Sequence, residues 1–213
     1  MADSQHTAGK DASHGQSKNA RHVIRMARKK AVIDAAIAAA TDERGLLIVI
    51  TGNGKGKSTS AFGTLARALG HGMKVGVVQF IKSRTDTGEE AFFGKQPGVE
   101  WHVTGDGFTW DTQNREQDIA TAQRGWAVAQ AMLADASYQL VVLDELTYLL
   151  SYGYLDADAV LDALVQRPKL QHVIVTGRAA SDALIELADT VSVIADEKHA
   201  YRAGVKAQFG IDL

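Results

Sequence analysis

The chain has 213 residues, of which 46% are hydrophobic and 23% charged, and its net charge is −2. These values fit one globular domain and exclude a fully disordered chain or a fibrous repeat. The absence of cysteine excludes a disulfide scaffold, a thiolate zinc site, an iron–sulfur cluster and a cysteine nucleophile. Because the sequence has no broad basic field, long apolar run or secretory leader, we expect a cytoplasmic protein that binds neither nucleic acid nor membrane.

The N-terminal region differs in charge from the rest of the chain. Residues 1–44 hold eight basic and five acidic residues, against 15 and 20 in the remainder. We expect residues 1–18 to be a disordered tail, since almost none of them is apolar. In the segment 19–44, apolar residues are spaced along one face of a helix. This spacing predicts a helix from Ala20 to Ala40. It is either a solvated helix docked on the domain or a flap over an active site.

Short apolar runs alternate with helical patterns through the predicted domain, residues 45–213. The alternation predicts an α/β fold with a mostly parallel sheet and helices on both faces. The predicted strands are Leu46–Thr51, Lys74–Phe80, Val99–Val103, Gln139–Leu143, Gln171–Thr176 and Val191–Ala195. The predicted helices are Lys57–Gly70, Arg115–Ala134, Asp156–Val165 and Ser181–Ala188.

A glycine-rich segment, TGNGKGKST at residues 51–59, follows the first strand and opens the first helix. This is the context of a P-loop, in which backbone N–H groups and a helix N-terminus hold phosphate oxygens. Lys57 supplies a positive charge to the phosphates, and the Ser58 hydroxyl suits Mg²⁺. Thr51 stands where the usual motif has its first glycine, which indicates an altered loop. The predicted nucleotide-binding residues of the loop are Gly52, Asn53, Gly54, Lys55, Gly56, Lys57, Ser58 and Thr59.

A strand that ends in two acids, LVVLDE at residues 140–145, complements the P-loop. In P-loop proteins an aspartate at such a strand end helps to hold Mg²⁺, which makes Asp144 a candidate metal ligand. Glu145 is either a second group near the metal or a base that orients water. Taken alone, the two acids could simply cap the next helix.

Three further segments could contact a ligand. Residues 104–114 combine glycines and amides with Phe108 and Trp110, which would suit a flat apolar ligand or fold back into the core. Arg178 follows a predicted strand and could reach a phosphate. The segment from Lys198 to Asp212 is basic and too polar for a simple core strand.

The motifs TGNGKGKST, RALGHG, VGVVQFIK, GFTWDTQNRE, VVLDELTY, VIVTGR, LADTVS and GVKAQFGID occur in this order. With them the chain, from about Arg44 to Leu213, closely resembles the P-loop class of bacterial ATP:corrinoid adenosyltransferases. The resemblance implies a P-loop architecture of RecA-like type. It also implies transfer of the 5′-deoxyadenosyl group of ATP to the Co(I) of a corrinoid, with release of triphosphate, in adenosylcobalamin biosynthesis or salvage. The altered loop is similar to that of this family, and the resemblance implies a nucleotide held in a reversed sense relative to ordinary P-loop hydrolases.

The resemblance implies roles and partners as well. Lys57, Phe108 and Trp110 act in catalysis, the two aromatics against the corrin ring, and the N-terminal helix covers the corrin site. Arg178 joins the ATP ligands, while Ser58, Asp144 and Glu145 hold Mg²⁺ or Mn²⁺. A homodimer and a flavodoxin-type reductant are also implied. The alternatives are a RecA-like nucleotide hydrolase or kinase and a nucleotide-sensing module.

Overall fold

The computed structural model describes the backbone of residues 8–81, 87–105 and 114–211, and the side chains of these residues from residue 19 onward. The chain divides into two units between Glu43 and Arg44. The first unit contains one long helix, α1 (Ala8–Ala39). It begins before the predicted start at Ala20, so residues 8–18 are helical where we expected a disordered tail. Extending a formed helix fixes few dihedral angles per hydrogen bond, so a polar segment without an apolar stripe can extend it.

A parallel sheet forms the centre of the second unit. Its strand order is β3-β2-β4-β5-β1-β6, and every pair in the described residues is parallel. The fold is therefore α/β with a parallel sheet, as predicted. The strands are β1 (Leu47–Thr51), β2 (Val75–Gln79), β3 (Val99–Val103), β4 (Leu140–Asp144), β5 (His172–Thr176) and β6 (Thr190–Val193).

Helices cover both faces of the sheet. The first two helices of the second unit pack on one face of the sheet, over one apolar cluster. The remaining four helices pack on the other face, over a second cluster. The helices are α2 (Lys57–Gly70), α3 (Gly88–Phe93), α4 (Arg115–Ala134), α5 (Leu146–Ser151), α6 (Ala157–Gln166) and α7 (Asp182–Leu187), and a 3₁₀ helix spans Ala200–Ala203.

The central strands are apolar throughout because both of their faces are buried. In β4, Val141 and Leu143 contribute to one cluster, whereas Leu140 and Val142 contribute to the other. Successive side chains of a strand point to opposite faces, so a strand covered on both sides reads as a continuous apolar run. This pattern is what made the strands recognisable in the sequence.

Three short elements were not predicted: α3, α5 and the 3₁₀ helix. The two α-helices have six residues each, which gives only a weak helical period. The last strand also ends earlier than expected, at Val193 rather than Ala195. Among the described residues, no helix is long and apolar enough to cross a membrane.

Candidate active site

Four neighbouring strands end in polar residues at one edge of the sheet. β2 ends at Gln79, β4 at Asp144, β5 at Thr176 and β1 at Thr51. Gln79 lies in register with Asp144, and Thr176 with Ile50. Ligands of parallel α/β folds bind outside the carboxyl ends of the strands, so this edge is the candidate active site.

The phosphate loop, from Gly52 to Gly56, joins β1 to α2. Gly52 has φ 102° and Gly56 φ 116°, values that favour glycine. The Gly54 N–H donates to the carbonyl oxygen of Ile194 at 2.8 Å. A Cβ on Gly54 would lie 2.2 Å from the carbonyl oxygen of Ala195. The glycines therefore permit both the bend of the loop and the close approach of the chain after β6.

Thr51 explains the departure from the usual P-loop pattern. It is buried, and its hydroxyl accepts a hydrogen bond from the Ala180 N–H at 3.3 Å. Its carbonyl oxygen accepts one from the Ile194 N–H at 2.8 Å. The left-handed backbone of the loop begins one residue later, at Gly52, so Thr51 stays in the strand. Its two hydrogen bonds tie the strand to two neighbouring segments.

Lys57, the first residue of α2, is only 7% exposed. Its ammonium donates to the carbonyl oxygen of Gly54 at 2.8 Å, so the side chain folds over the phosphate loop. Burial lowers the pKa of Lys57, the negative charge of Glu145 opposes that shift, and the positive charge of Arg178 adds to it. A partly desolvated ammonium in a glycine loop is well suited to meet an anion.

Asp144 is fully buried at the end of β4. Its Oδ2 accepts a hydrogen bond from Gln79 Nε2 at 2.8 Å, and its Oδ1 accepts one from Thr176 Oγ1 at 2.7 Å. Asp144 belongs to a buried polar network and so contributes to packing as well as to the site.

Glu145 adopts a left-handed conformation, φ 65°, which is uncommon for residues other than glycine. Its backbone N–H donates to Thr176 Oγ1 at 2.9 Å. Nearby, Thr147 Oγ1 donates to the carbonyl oxygen of Arg178 at 2.6 Å. Gly177 must lack a side chain, since a Cβ there would lie 2.0 Å from Thr147 Oγ1. These contacts hold the ends of β4 and β5 together and fix the backbone of Glu145.

The structure brings most of the predicted site residues to this edge. Lys57 interacts electrostatically with Asp144, Glu145 and Arg178. Ser58 follows Lys57 at the start of α2 and is half-buried. Among the predicted nucleotide-binding residues, Asn53 and Lys55 are exposed in the loop, and Thr59 is exposed in the first turn of α2. Two further predicted residues, Phe108 and Trp110, lie outside the described residues.

A family model described as ATP:corrinoid adenosyltransferase BtuR/CobO/CobP matches residues 43–213. The chain belongs to this adenosyltransferase family. A second model, described as the N terminal of cob(I)alamin adenosyltransferase, matches residues 11–37. The family resemblance inferred from the sequence motifs is thus confirmed.

Curated relatives cover almost the whole chain. A corrinoid adenosyltransferase of Pseudomonas aeruginosa is 59% identical over 196 residues, covering 92% of this chain and 97% of that protein. One from Escherichia coli K12 is 55% identical, covering 90% of this chain and 97% of that protein. One from a Sinorhizobium species is 43% identical, covering 97% of each.

Two residues of the candidate site were not predicted from the sequence. Gln79 and Thr176 contact both carboxylate oxygens of Asp144, but neither was a predicted site residue. Their signal in the sequence is a polar residue that ends an otherwise apolar strand. Reasoning from the sequence also missed the packing of Ile194 and Ala195 against the phosphate loop.

The donors at this edge fit a hard divalent cation. Ser58 offers a hydroxyl, while Asp144 and Glu145 offer carboxylates, and oxygen ligands are those that Mg²⁺ prefers. Within the described ranges, no three His, Cys, Asp or Glu side chains cluster closely enough to form a metal cage. Such a sparse donor set is typical of Mg²⁺ sites that share the ion with substrate phosphates and water.

Proposed function

We propose that this chain transfers the 5′-deoxyadenosyl group of ATP to the Co(I) of a corrinoid. The Co(I) electron pair attacks C5′ of the ribose, a cobalt–carbon bond forms, and the C5′–O bond breaks. The bonding electrons leave with triphosphate, while cobalt is oxidised to Co(III). The observation that carries the proposal is the buried Lys57 in its phosphate loop beside Asp144 and Glu145, in a chain of this family.

In this reaction the protein positions ATP and offsets the charge of the leaving group. The backbone N–H groups of the phosphate loop and the N-terminus of α2 meet the phosphate oxygens. Lys57 and Arg178 add positive charge where negative charge develops on triphosphate. Because these groups are already in place, they stabilise that charge without having to reorganise during the reaction. The residues proposed to contact ATP are Gly52, Asn53, Gly54, Lys55, Gly56, Lys57, Ser58, Thr59 and Arg178.

Ser58, Asp144 and Glu145 are proposed to hold Mg²⁺ or Mn²⁺. When bound, the ion would neutralise phosphate charge as a Lewis acid. Gln79 and Thr176 fix the Asp144 carboxylate through one hydrogen bond to each of its oxygens. Thr176 also holds the Glu145 backbone, so one hydroxyl positions both acids.

The direct test is anaerobic spectroscopy with chemically reduced cobalamin. Adding the enzyme with ATP and Mg²⁺ should convert the Co(I) spectrum to that of an alkylated Co(III) corrinoid. Omitting ATP should prevent the change. A stable Co(I) spectrum in the complete mixture would contradict the proposed function.

The lowered pKa of Lys57 predicts how ATP binding depends on pH. As pH rises through that pKa the ammonium loses its proton and its charge, so the affinity for ATP should fall on the alkaline side. Lys57→Arg should keep its affinity over the same range because guanidinium stays protonated. Calorimetric titration of both proteins with MgATP from neutral pH to about pH 10 tests this. An equal alkaline loss in both would show that another group titrates.

Phe108 and Trp110 are proposed to press on one face of the corrin ring. Excluding an axial ligand from cobalt eases reduction of Co(II), since axial ligands and apolar surroundings tune a metal's potential. Phe108→Ala and Trp110→Ala should therefore lose activity when a protein donor must reduce bound Co(II). Both should keep much more activity when Co(I) is supplied ready-made.

The control for these variants is Phe92→Ala, which removes an exposed aromatic ring of α3. It should leave both assays unchanged. Equal losses of Phe108→Ala or Trp110→Ala in the two assays, with a lower melting temperature, would place these rings in the core instead.

Helix α1 is proposed to serve corrinoid handling rather than ATP binding, as the family resemblance implies. Deleting residues 1–41 should leave a folded domain, because the sheet and both apolar clusters lie in residues 44–213. ATP affinity should stay unchanged, whereas the KM for corrinoid should rise and turnover should fall. Deleting residues 1–18 alone should be harmless, since the predicted apolar stripe starts later. Normal corrinoid kinetics in the longer deletion would refute this role.

A homodimer and a flavodoxin-type electron donor complete the proposal.

A further inference from the structure

The chain that follows β6 approaches the phosphate loop too closely for side chains to lie between them. The carbonyl oxygen of Ile194 would lie 2.4 Å from a Cβ on Gly52, and that of Ala195 would lie 2.2 Å from a Cβ on Gly54. Two glycines of the loop therefore face the same two residues. We call Ile194 and Ala195 the loop clamp.

Backbone hydrogen bonds join the loop clamp to the phosphate loop in both directions. The Ile194 N–H donates to the carbonyl oxygen of Thr51, and the Gly54 N–H donates to the carbonyl oxygen of Ile194, each at 2.8 Å. Thr51 itself lies in register with Val193. The contact thus extends the pairing of β1 and β6 beyond the strands and into the loop.

The side chain of Ile194 holds the clamp against the core. It is half-buried and packs against the apolar cluster that contains Ala61 and Leu65 of α2. Its Cδ1 atom lies 3.9 Å from the position that a Cβ on Gly56 would occupy. One residue therefore contacts the core and the phosphate loop together.

The register of β6 is fixed at its other end. This strand lies at an edge of the sheet and pairs with β1. Asp189, just before it, accepts a hydrogen bond from the Leu47 N–H at 2.8 Å and forms an ion pair with Arg44 at 2.7 Å. Because a slip of one residue would turn every side chain to the opposite face, these contacts bring Ile194 and not a neighbour to the loop.

We propose that the loop clamp positions the phosphate loop for the triphosphate of ATP. The proposal rests on the proposed function, since it concerns the same site. Ile194 and Ala195 are positioning residues, which act through the backbone of Gly52 and Gly54. Binding groups must be held within about 0.5 Å of their productive positions. Glycine has more backbone freedom than any other residue, so the clamp supplies rigidity that a loop rich in glycine lacks.

Gly54→Ala tests the clamp from the side of the loop. The backbone of Gly54, unlike that of Gly52, lies outside the left-handed region, so alanine fits the backbone and only the clamp opposes it. The Kd values of MgATP and of inorganic triphosphate, measured by calorimetric titration, should each rise at least about tenfold. A displacement of about 1 Å in a positioned group costs up to about 10²-fold.

Gly63→Ala is the matched control for this variant. Gly63 is exposed on α2, and a Cβ there would meet nothing within 4 Å. Both Kd values should stay at those of wild type.

Ile194→Ala tests the clamp from the side of β6. Both Kd values should rise at least about threefold, whereas Val193→Ala, which truncates a neighbour that is 69% exposed, should change neither. The double variant Gly54→Ala/Ile194→Ala should bind at most about twofold more weakly than the weaker single variant, because both changes open one contact.

Two outcomes would overturn the proposal. A lower melting temperature of Gly54→Ala and Ile194→Ala with unchanged Kd values would mean that the contact serves folding alone. Fully additive losses in the double variant would mean that the two residues act independently.

Adenosyl transfer by the wild-type protein separates this proposal from the proposed function. If both variants lose affinity for triphosphate but wild type transfers no adenosyl group to reduced cobalamin, the proposed function fails and the clamp stands. If wild type transfers the group and both variants bind MgATP normally, the clamp fails and the proposed function stands.

Discussion

Replacing Lys57 with alanine is expected to lower kcat at saturating ATP by roughly 10²- to 10³-fold. This is the usual loss when one preorganised donor to a developing negative charge is removed. Its ammonium is buried and lies over the phosphate loop, so solvent cannot replace it. The melting temperature should stay close to that of wild type, because a desolvated charge is removed along with its hydrogen bond.

Arg67→Ala is the matched control for this experiment. Arg67 is a basic residue on the same helix, in the last turn of α2 and exposed. Its loss should leave kcat unchanged. If Lys57→Ala keeps more than about half of wild-type turnover, Lys57 does not provide the donor effect assumed here.

Asp144→Asn should have two effects of different origin. The Mg²⁺ concentration for half-maximal activity should rise about 10- to 100-fold, as is typical when a group that supports a metal site is altered. The protein should also lose about 1.5–3 kcal/mol of unfolding free energy. In the wild-type protein, each carboxylate oxygen of Asp144 accepts a hydrogen bond, one from Gln79 and the other from Thr176. The new amide nitrogen cannot accept a hydrogen bond, so one of these donors would lose its partner.

Gln79→Leu separates the two effects of Asp144→Asn. It removes one hydrogen bond of the same buried network but leaves the carboxylate in place. Denaturant unfolding should show a comparable loss of stability, while the Mg²⁺ titration should stay closer to wild type. Identical Mg²⁺ titrations of the two variants would mean that Asp144 acts only through packing.

The fold could be predicted closely because its signals are local. Buried strands read as apolar runs, and α2 and α4 have the predicted bounds, Lys57–Gly70 and Arg115–Ala134. Helices α3 and α5 escaped prediction because six residues carry only a weak periodic signal, although α7, which is equally short, was predicted within Ser181–Ala188. The early start of α1 escaped because periodicity detects only the apolar stripe.

The site could be predicted only where its functional residues are adjacent in the sequence. The phosphate loop and the Asp144–Glu145 pair are contiguous motifs, so their residue types were informative. The partners of Asp144 are Gln79, 65 residues away, and Thr176, 32 residues away. Strand order and register decide those contacts, and no single motif encodes them. The packing of Ile194 on the loop joins residues even further apart.

In the proposed reaction, bond cleavage occurs at C5′ of ATP and not at the γ-phosphate. ATP labelled with ¹³C at C5′ and chemically reduced cobalamin, followed by NMR in one reaction, tests it most directly. We expect the ¹³C signal to move to a cobalt-bound carbon, while ³¹P spectra show intact triphosphate in equal amount. Formation of ADP and orthophosphate, with C5′ still bonded to oxygen, would contradict it.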